Sequence, residues 1–511
     1  MNEMSYKGIY GMHKYWGKKP FNEISKFIDM YSAEGETVLD CFCGSGVTLI
    51  EALRMNRRCI GIDLNPIAIF LSKVSLTTVD KKELLVEYNK LQDALKDMIM
   101  GLYKIGDGED SAIVTHVIWK NGEPIEVWYS TKEKKKTIRE GHQIDVEMAF
   151  SPKEPPKWYP ENIMFENSRI NVAKEERVSD LFTPRAIVGL SHLLDYIYAI
   201  ENEKIRNVLL ITFSGTLSQA SNLVFVIRGR KKNGIVQNRA EVGSWVIGYW
   251  MPEEHFEINV WNCFENRFKR VLKGIDEINL TFGEEPDDYF EKNVELYNQS
   301  ATEMPIEDNC VDYVFIDPPH ANRILYMEQS LMWNSWLRMG DNIDWENEII
   351  VSEAKDRRKT PENYNQLLDC SFAEIQRVLK PGRSFSMAFN CLSDDIWKDT
   401  LNLFIKHGFV LEDIVPLEYS ATSVVQDNRK NALKTDFVLT FKNSGNYEQD
   451  DIYYDLDDEK LKRFISELIE NNPQIEIYEI INSLFKKSLS QGYIFKISSI
   501  VKIAASKLDK K

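Results

Sequence analysis

No run in this chain of 511 residues approaches the ~20 consecutive apolar residues needed to span a bilayer. Met1 to Tyr15 is polar and lacks the apolar stretch of a signal peptide. The seven cysteines include no CxxC pair, so the usual ligand spacing of a structural zinc site is missing. Free thiols in a reduced, cytoplasmic setting are the simple expectation, with no structural metal and no membrane. Basic residues are short: 63 Lys and Arg against 79 Asp and Glu leave a formal net charge of −16. That argues against binding nucleic acid with the whole surface. A basic groove on an acidic body stays open, because phosphate contacts are local and screened within about 10 Å. Two nucleotide-binding signatures are absent as well. There is no Gly-Lys-Ser/Thr, and residues 44–49 read Gly-Ser-Gly-Val-Thr-Leu, with Leu49 where the third glycine of the dinucleotide fingerprint would stand.

What is present divides the chain into parts. Its length predicts two or three domains, or one domain with a large insertion. Residues 36–74 read as strand (37–40), helix (47–54), strand (58–63) and a second helix opened by Pro66. Two strands around one helix imply a parallel sheet. The same rhythm resumes downstream. A candidate strand covers 293–296, and a buried strand runs from Cys310 to Asp317. An amphipathic helix over 365–379 is closed by Lys380-Pro-Gly382, and a strand follows at 384–389. Two final strands, 409–417 and 435–441, make a hairpin. Between these halves, residues 80–290 fit no regular βα rhythm. The first part (111–170) is β-rich and charged, and the later part (178–275) is helical, with amphipathic patterns over 186–200 and 208–217. The tail from Asp450 opens acidic and continues as helices. The expected organisation is 1–80, an inserted domain 81–290, a second half 291–445 and a helical C-terminal extension 446–511.

Two constellations carry chemistry. In the first, Asp40 ends a strand, Gly44 and Gly46 allow close backbone approach, and the following helix aims its positive end into the same space. Asp63 ends the next strand, about 20 residues on, a spacing that suits a carboxylate gripping ribose hydroxyls. A dinucleotide-binding dehydrogenase or a plain tight turn shares this physics. The second is Asp317-Pro318-Pro319-His320. If its strand lies beside the first, Asp317 and Asp40 become neighbours at the crevice of a doubly wound sheet. The Asp317 carboxylate and the Pro318 carbonyl would offer two acceptors for an exocyclic amino group, with a planar side chain beside them to stack on a base. A lone D-P-P is otherwise a strand-ending turn.

At these residues the chain resembles the amino-methyltransferases that modify adenine N6 or cytosine N4 in DNA. Asp40-Cys-Phe42-Cys-Gly44-Ser-Gly46 with Thr48 looks like their cofactor motif, Asp63 like their ribose-binding acid, and Asp317 to His320 like their D/S-P-P-Y/F/W motif. His13-Lys-Tyr-Trp-Gly-Lys-Lys19-Pro20 is similar to the segment that precedes the cofactor turn in the β-type group. There the catalytic motif usually comes first. Here it comes last, so the order looks circularly permuted. The resemblance implies a doubly wound, Rossmann-like methyltransferase sheet with a large α+β insertion, S-adenosylmethionine as cofactor, and direct methyl transfer. It puts Lys19 and Pro20 near the methionine end of the cofactor and Ala301 of Ser300-Ala-Thr302 near its adenine. The insertion, with Tyr159-Pro160, Asn167-Ser-Arg169 and Asp180 to Arg185, is similar to that of large DNA methylases, and DNA recognition is the role expected of it.

The implied activity is that of a site-specific DNA methyltransferase, with adenine favoured because aspartate stands at 317. Base flipping follows for a duplex target, and restriction-modification with a cognate endonuclease is the expected context. His320 departs from the usual aromatic residue. RNA guanine-N2 methyltransferases have a similar turn and motif order, and a non-catalytic DNA-binding subunit of the same fold is the other alternative. Three basic clusters are candidates for phosphate: Lys132, Lys134, Lys135, Lys136 and Arg139; Arg228, Arg230, Lys231 and Lys232; and Arg357, Arg358 and Lys359. Tyr326 is a candidate for the target pocket, Trp333 and Trp336 for the core, and His13 for a cofactor-side hydrogen bond.

Overall fold

Apolar residues at helical spacing, broken by glycine or Asn-Pro, set the first half of the main sheet. Helix α1 (Phe21–Tyr31) leads to β1 (Thr37–Asp40), α2 (Val47–Arg54), β2 (Arg58–Ile62) and α3 (Pro66–Ser75). The computed structural model describes residues 7–106, 108, 111–229, 231–232, 235–236, 239–246, 248–286, 288–340, 343–389, 394–417, 437–445 and 451–508. The intervening segment holds α4 (Lys81–Gly101), β3 (Lys104–Ile105), β4 (Ala112–Lys120), β5 (Glu123–Ser130), β6 (Thr137–Glu140) and α5 (Gln143–Phe150). It continues with α6 (Pro184–Tyr198), α7 (Glu203–Ala220), β7 (Val224–Ile227), β8 (Glu241–Val242), β9 (Glu254–Ile258) and α8 (Val260–Phe282). The second half supplies β10 (Val294–Tyr297), β11 (Val311–Ile316), α9 (Tyr326–Trp336), α10 (Pro361–Val378), β12 (Leu379–Phe389), α11 (Asp394–Lys406), β13 (Phe409–Pro416) and β14 (Phe437–Asn443). Helices α12 (Asp458–Asn471), α13 (Ile477–Leu489) and α14 (Ile497–Leu508) follow.

The seven main strands lie in the order β10-β2-β1-β11-β12-β14-β13. The first five are parallel, and β14 runs antiparallel to both neighbours. This is the doubly wound α/β sheet expected, with its order reversing between β1 and β11. Every residue of β1 and β11 is buried, as strands covered on both faces must be.

Three details differ from the sequence expectation. Helix α10 starts at Pro361, four residues before the amphipathic pattern, because the Thr360 hydroxyl accepts from Asn363 N–H and caps it. Lys380-Pro-Gly382 does not close that helix; it lies within β12, as an excursion that lets Val311 pair with Leu379 and Tyr313 with Ser384. The last two strands are paired as a hairpin would be, but β14 inserts between β12 and β13, and Thr435 and Asp436 lie outside the described residues.

The inserted segment builds a second sheet, β8-β7-β9-β4-β5-β6 with β3 on β4. Its helices do not stand apart from the main sheet. One hydrophobic core runs from Ile50 and Leu71 through Leu190, Leu209 and Phe264 to Trp333. Helix α7 was expected to be amphipathic over 208–217; every residue from Val208 to Ser218 is instead buried, so it is a central helix covered on all sides.

Candidate active site

Strands β1 and β11 run side by side, Val38 opposite Tyr313 and Leu39 opposite Val314. Their carboxyl ends therefore bring Asp40 and Asp317 to one edge of the sheet, where the strand order reverses and ligand crevices form. A cleft of about 870 Å³ opens there.

Along one wall the chain turns tightly. Gly44 (φ 51°) and Gly46 (φ 79°) are left-handed, and a Cβ on Gly46 would sit 2.8 Å from the Ser72 hydroxyl, so only glycine fits there without strain. Asp40 is buried; it accepts from Phe42 N–H at 3.0 Å and the Thr48 hydroxyl at 2.6 Å. Asp63 accepts from Gly44 N–H at 2.8 Å and Asn65 N–H at 2.9 Å. Burial raises the Asp40 carboxyl to about 7 against its hydrogen bonds, with Asp317 and Asp63 adding to the rise. Burial likewise raises Asp63 to about 6, partly offset by the N–H groups of Asn65 and Gly44. Both carboxylates are thus held by uncharged donors. Cys41 and Cys43 are buried in the turn, and burial raises both thiols.

The opposite wall is held by cations. Lys19 Nζ lies 2.7 Å from Asp317 Oδ2, the two side chains being 10% and 21% exposed. Asp317 Oδ1 is enclosed without a hydrogen-bond partner, and His320 Nε2 stands 3.5 Å from it. An enclosed acceptor left unpaired costs on the order of 1–3 kcal/mol. Burial pushes the Asp317 carboxyl up, but the Lys19 cation and then His320 outweigh it and hold the group below its ordinary value. Tyr364 donates to the Pro319 carbonyl at 3.0 Å, fixing the turn.

Residues 2–73 match the family model described as DNA methylase, N6_N4_Mtase. This part of the chain is similar to the N6/N4 DNA methylases. The chain is 27% identical to the Type II methyltransferase M.MjaII of Methanocaldococcus jannaschii over 41% of this chain and 39% of that protein. It is 43% identical to the Type II methyltransferase M.BglI of Bacillus subtilis over 10% of this chain and 15% of that one. A ribosomal protein L11 methyltransferase of Aliivibrio fischeri is 30% identical over 19% of this chain and 35% of its own. The matched region thus spans well under half of each of these relatives.

Set beside the amino-methyltransferase motifs, the cleft gathers Lys19, Asp40, Phe42, Gly44, Thr48, Asp63, Ala301, Asp317, Pro319 and Tyr326 along its walls. Pro20, Gly46, Pro318 and His320 do not line it. Pro20 caps α1, Gly46 caps α2, and His320 packs edge-on to Phe389 with ring centres 5.9 Å apart.

The phosphate-binding expectation for 357–359 fails at two of its three residues. Arg357 is buried, with Nη2 bonded to Glu348 Oε2 at 2.5 Å and Nη1 3.7 Å from Glu328. Lys359 is buried too and donates to the Glu346 carbonyl and Asn363 Oδ1. Only Arg358 is exposed. In the other clusters, Arg139 is paired with Asp145 and Arg228 with Glu254, Lys132, Lys134 and Lys135 are exposed, and Arg230 lies outside the described residues. His13 does not reach the cleft; its Nε2 is 3.1 Å from the Ser214 hydroxyl, pinning the 13–20 segment to α7. Burial lowers it to about 3, so it is neutral. Trp333 and Trp336 are core residues, as expected.

Sequence reasoning missed Tyr15, Asn65 and Glu348, all of which line the cleft. Tyr15 stacks on Tyr326 at 5.9 Å, and Asn65 Nδ2 donates to its hydroxyl at 3.3 Å. Tyr15 lay inside the 13–20 motif and Asn65 just before the helix-opening Pro66, so both had a local signal. Glu348 sits in a loop with no periodic pattern; its Oε1 accepts from Met327 N–H at the start of α9.

Proposed function

We propose that this chain transfers the methyl group of S-adenosylmethionine to an exocyclic amino group in duplex DNA, adenine N6 ahead of cytosine N4. The observation that carries the reading is the meeting of the two turns at one cleft, with Asp40 and Asp317 at the ends of adjacent parallel strands. The residues suit the cofactor, which carries an ammonium and a sulfonium: two carboxylates, the buried Asp40 and the half-buried Asp63, stand there on uncharged donors. When bound, that cofactor supplies an electrophilic methyl group, so no covalent enzyme intermediate is required.

The chain's own residues then have separate tasks. Asp63 offers its remaining lone pairs to ribose hydroxyls, and Ala301 closes the cleft on the adenine side. Asp317, on the cleft wall, accepts an amino hydrogen and directs the nitrogen lone pair, and the Pro318 carbonyl, next in the chain but outside the cleft lining, is the second acceptor implied by the motif; positioning of this kind supplies much of the rate. A base in duplex DNA reaches such a cleft only by leaving the stack. Tyr326, stacked on Tyr15, is the aromatic face available to it. The inserted segment is the candidate for DNA recognition, with exposed Lys132, Lys134 and Lys135 available to phosphate. The aspartate at 317 favours adenine, and restriction-modification with a cognate endonuclease is the setting proposed for the activity.

The test is expression in a host free of DNA methylation, followed by modified-base mapping of its genome. N6-methyladenine at a fixed motif is expected. N4-methylcytosine there would correct the base. Label transferred from S-adenosylmethionine to RNA and not to DNA would refute the reading.

A further inference from the structure

Lys19 is the one lysine or arginine hydrogen-bonded to the Asp317 carboxylate among the described residues, and it lies 298 residues before it in the chain. It belongs to the segment before α1, while Asp317 ends β11. That segment is built to hold Lys19 still. Pro20 fixes the backbone at φ −63°, Lys18 Nζ donates to the Tyr10 and His13 carbonyls at 2.9 and 2.8 Å, and His13 is anchored on Ser214. Lys19 Nζ then occupies Asp317 Oδ2 at 2.7 Å and leaves Oδ1 as the oxygen without a hydrogen bond.

We propose that Lys19 is a positioning residue for amino-group transfer: it fixes the rotation of the Asp317 carboxylate, so that Oδ1 is the acceptor for the amino hydrogen. This rests on the functional reading above and adds a role to a residue otherwise assigned to the methionine end of the cofactor. A carboxylate free to rotate offers an acceptor in many directions. One tied at Oδ2 offers it in one, and misplacement of about 1 Å is enough to lose roughly 10²-fold in rate. The charge matters as well as the geometry. The groups that face Asp317 are Lys19, His320 and the buried Asp40. Asp40 repels the ionised form, and Lys19 is the stronger of the two groups that favour it. A carboxylate bound in this way is a poor proton acceptor, so its part is orientation, and the proton shed by the methylated, cationic nitrogen passes to water.

The experiment compares wild type, Lys19→Met, Lys19→Arg, Asp317→Asn and the Lys19→Met/Asp317→Asn double variant, in full-length protein. Methyl transfer to unmethylated duplex DNA is followed from pH 5 to 9, with S-adenosylmethionine affinity read by calorimetry. Lys19→Met is expected to lower kcat roughly 10²-fold and to move the acidic limb of the profile to higher pH, since loss of the cation raises the carboxyl. Lys19→Arg is expected to restore most of both. The double variant is expected to be no slower than Asp317→Asn alone. Wild-type transfer together with an unmoved limb in Lys19→Met, or with fully multiplicative losses in the double variant, overturns the positioning role. A folded wild type that binds the cofactor but transfers nothing to DNA overturns the functional reading itself.

Discussion

The two walls of the cleft hold their carboxylates by opposite means. On the β1 side, Asp40 and Asp63 are met by backbone N–H groups and a threonine hydroxyl, and burial leaves them raised to about 7 and 6. On the β11 side, Asp317 is met by Lys19 and Glu348 by Arg357, and Asp317 is lowered. An uncompensated pair of acids in a partly dry cleft favours a cationic ligand, because each opposite charge nearby stabilises the ionised form. A compensated acid favours a neutral donor such as an amino group. On the function proposed above, the walls are matched to different halves of one reaction: a positively charged methyl donor on one side, an uncharged acceptor on the other.

The sharpest break of this comparison is Asp317→Ala. It removes the acceptor on the compensated wall, the carboxylate to which Lys19 is bonded. Methyl transfer is expected to fall by roughly 10²–10³-fold, as when a single preorganised electrostatic group is deleted. Cofactor affinity, which belongs to the other wall, should change less than about threefold, because removing a transition-state contact leaves ground-state binding largely intact. A comparable loss of affinity would merge the two walls into one site.

Next comes the strut behind the compensated wall. Arg357→Met leaves Glu348 and Glu328 without their shared cation in a buried setting. Breaking such a pair destabilises a protein by about 3–5 kcal/mol, measurable as a lower urea midpoint. Arg358→Ala, at an exposed neighbour, should stay within about 0.5 kcal/mol. Equal effects would mean that Arg357 is not the buried member of the pair.

Asp63→Ala tests the uncompensated wall. The N–H groups of Gly44 and Asn65 lose their shared acceptor. Hydrogen bonds to a charged group contribute about 1.5–3 kcal/mol, so S-adenosylmethionine affinity should fall roughly 10- to 100-fold. Calorimetry reads this directly, and an unchanged affinity would remove Asp63 from the cofactor site.

Much of this was legible in the sequence, and for identifiable reasons. Asp40, Gly44, Gly46, Thr48 and Asp63 fall within one βαβ unit, where local spacing fixes local geometry, and α2 spans the residues 47–54 expected. The neighbourhood of Asp40 and Asp317 followed from the rule that ligands bind where strand order reverses. What failed was non-local. Arg357 and Lys359 read as a basic cluster because nothing in their own segment reveals Glu348 and Glu328 waiting in the core. Helix α7 read as amphipathic, but its Thr212, Ser214, Thr216 and Ser218 are spread around the helix and buried; their hydroxyls bond to carbonyls of their own helix, and Ser214 also meets His13. The Lys19–Asp317 pair joins residues at opposite ends of the chain's core and leaves no mark in either motif.

The smallest expected effect separates the walls by pH alone. Asp40 and Asp63 have folded values above those of the unfolded chain, so each favours the folded state fully at low pH. That contribution is lost as pH rises through about 6 and 7. The apo protein should therefore lose stability between about pH 4 and 7 at these two sites, while Asp317, being lowered, contributes in the opposite sense and only at more acidic pH. A cationic ligand reverses the balance on the uncompensated wall. It pulls both carboxyls down, binds with proton release, and gains affinity as pH rises from about 5 to 8. A gain of several-fold is expected, bounded by tenfold for each proton released per pH unit. Asp40→Asn should flatten the upper part of that rise near pH 7 and leave the part near pH 6, which belongs to Asp63. An affinity independent of pH would mean that the bound cofactor does not see these carboxylates as charges, and the division of labour between the walls would then rest on shape alone.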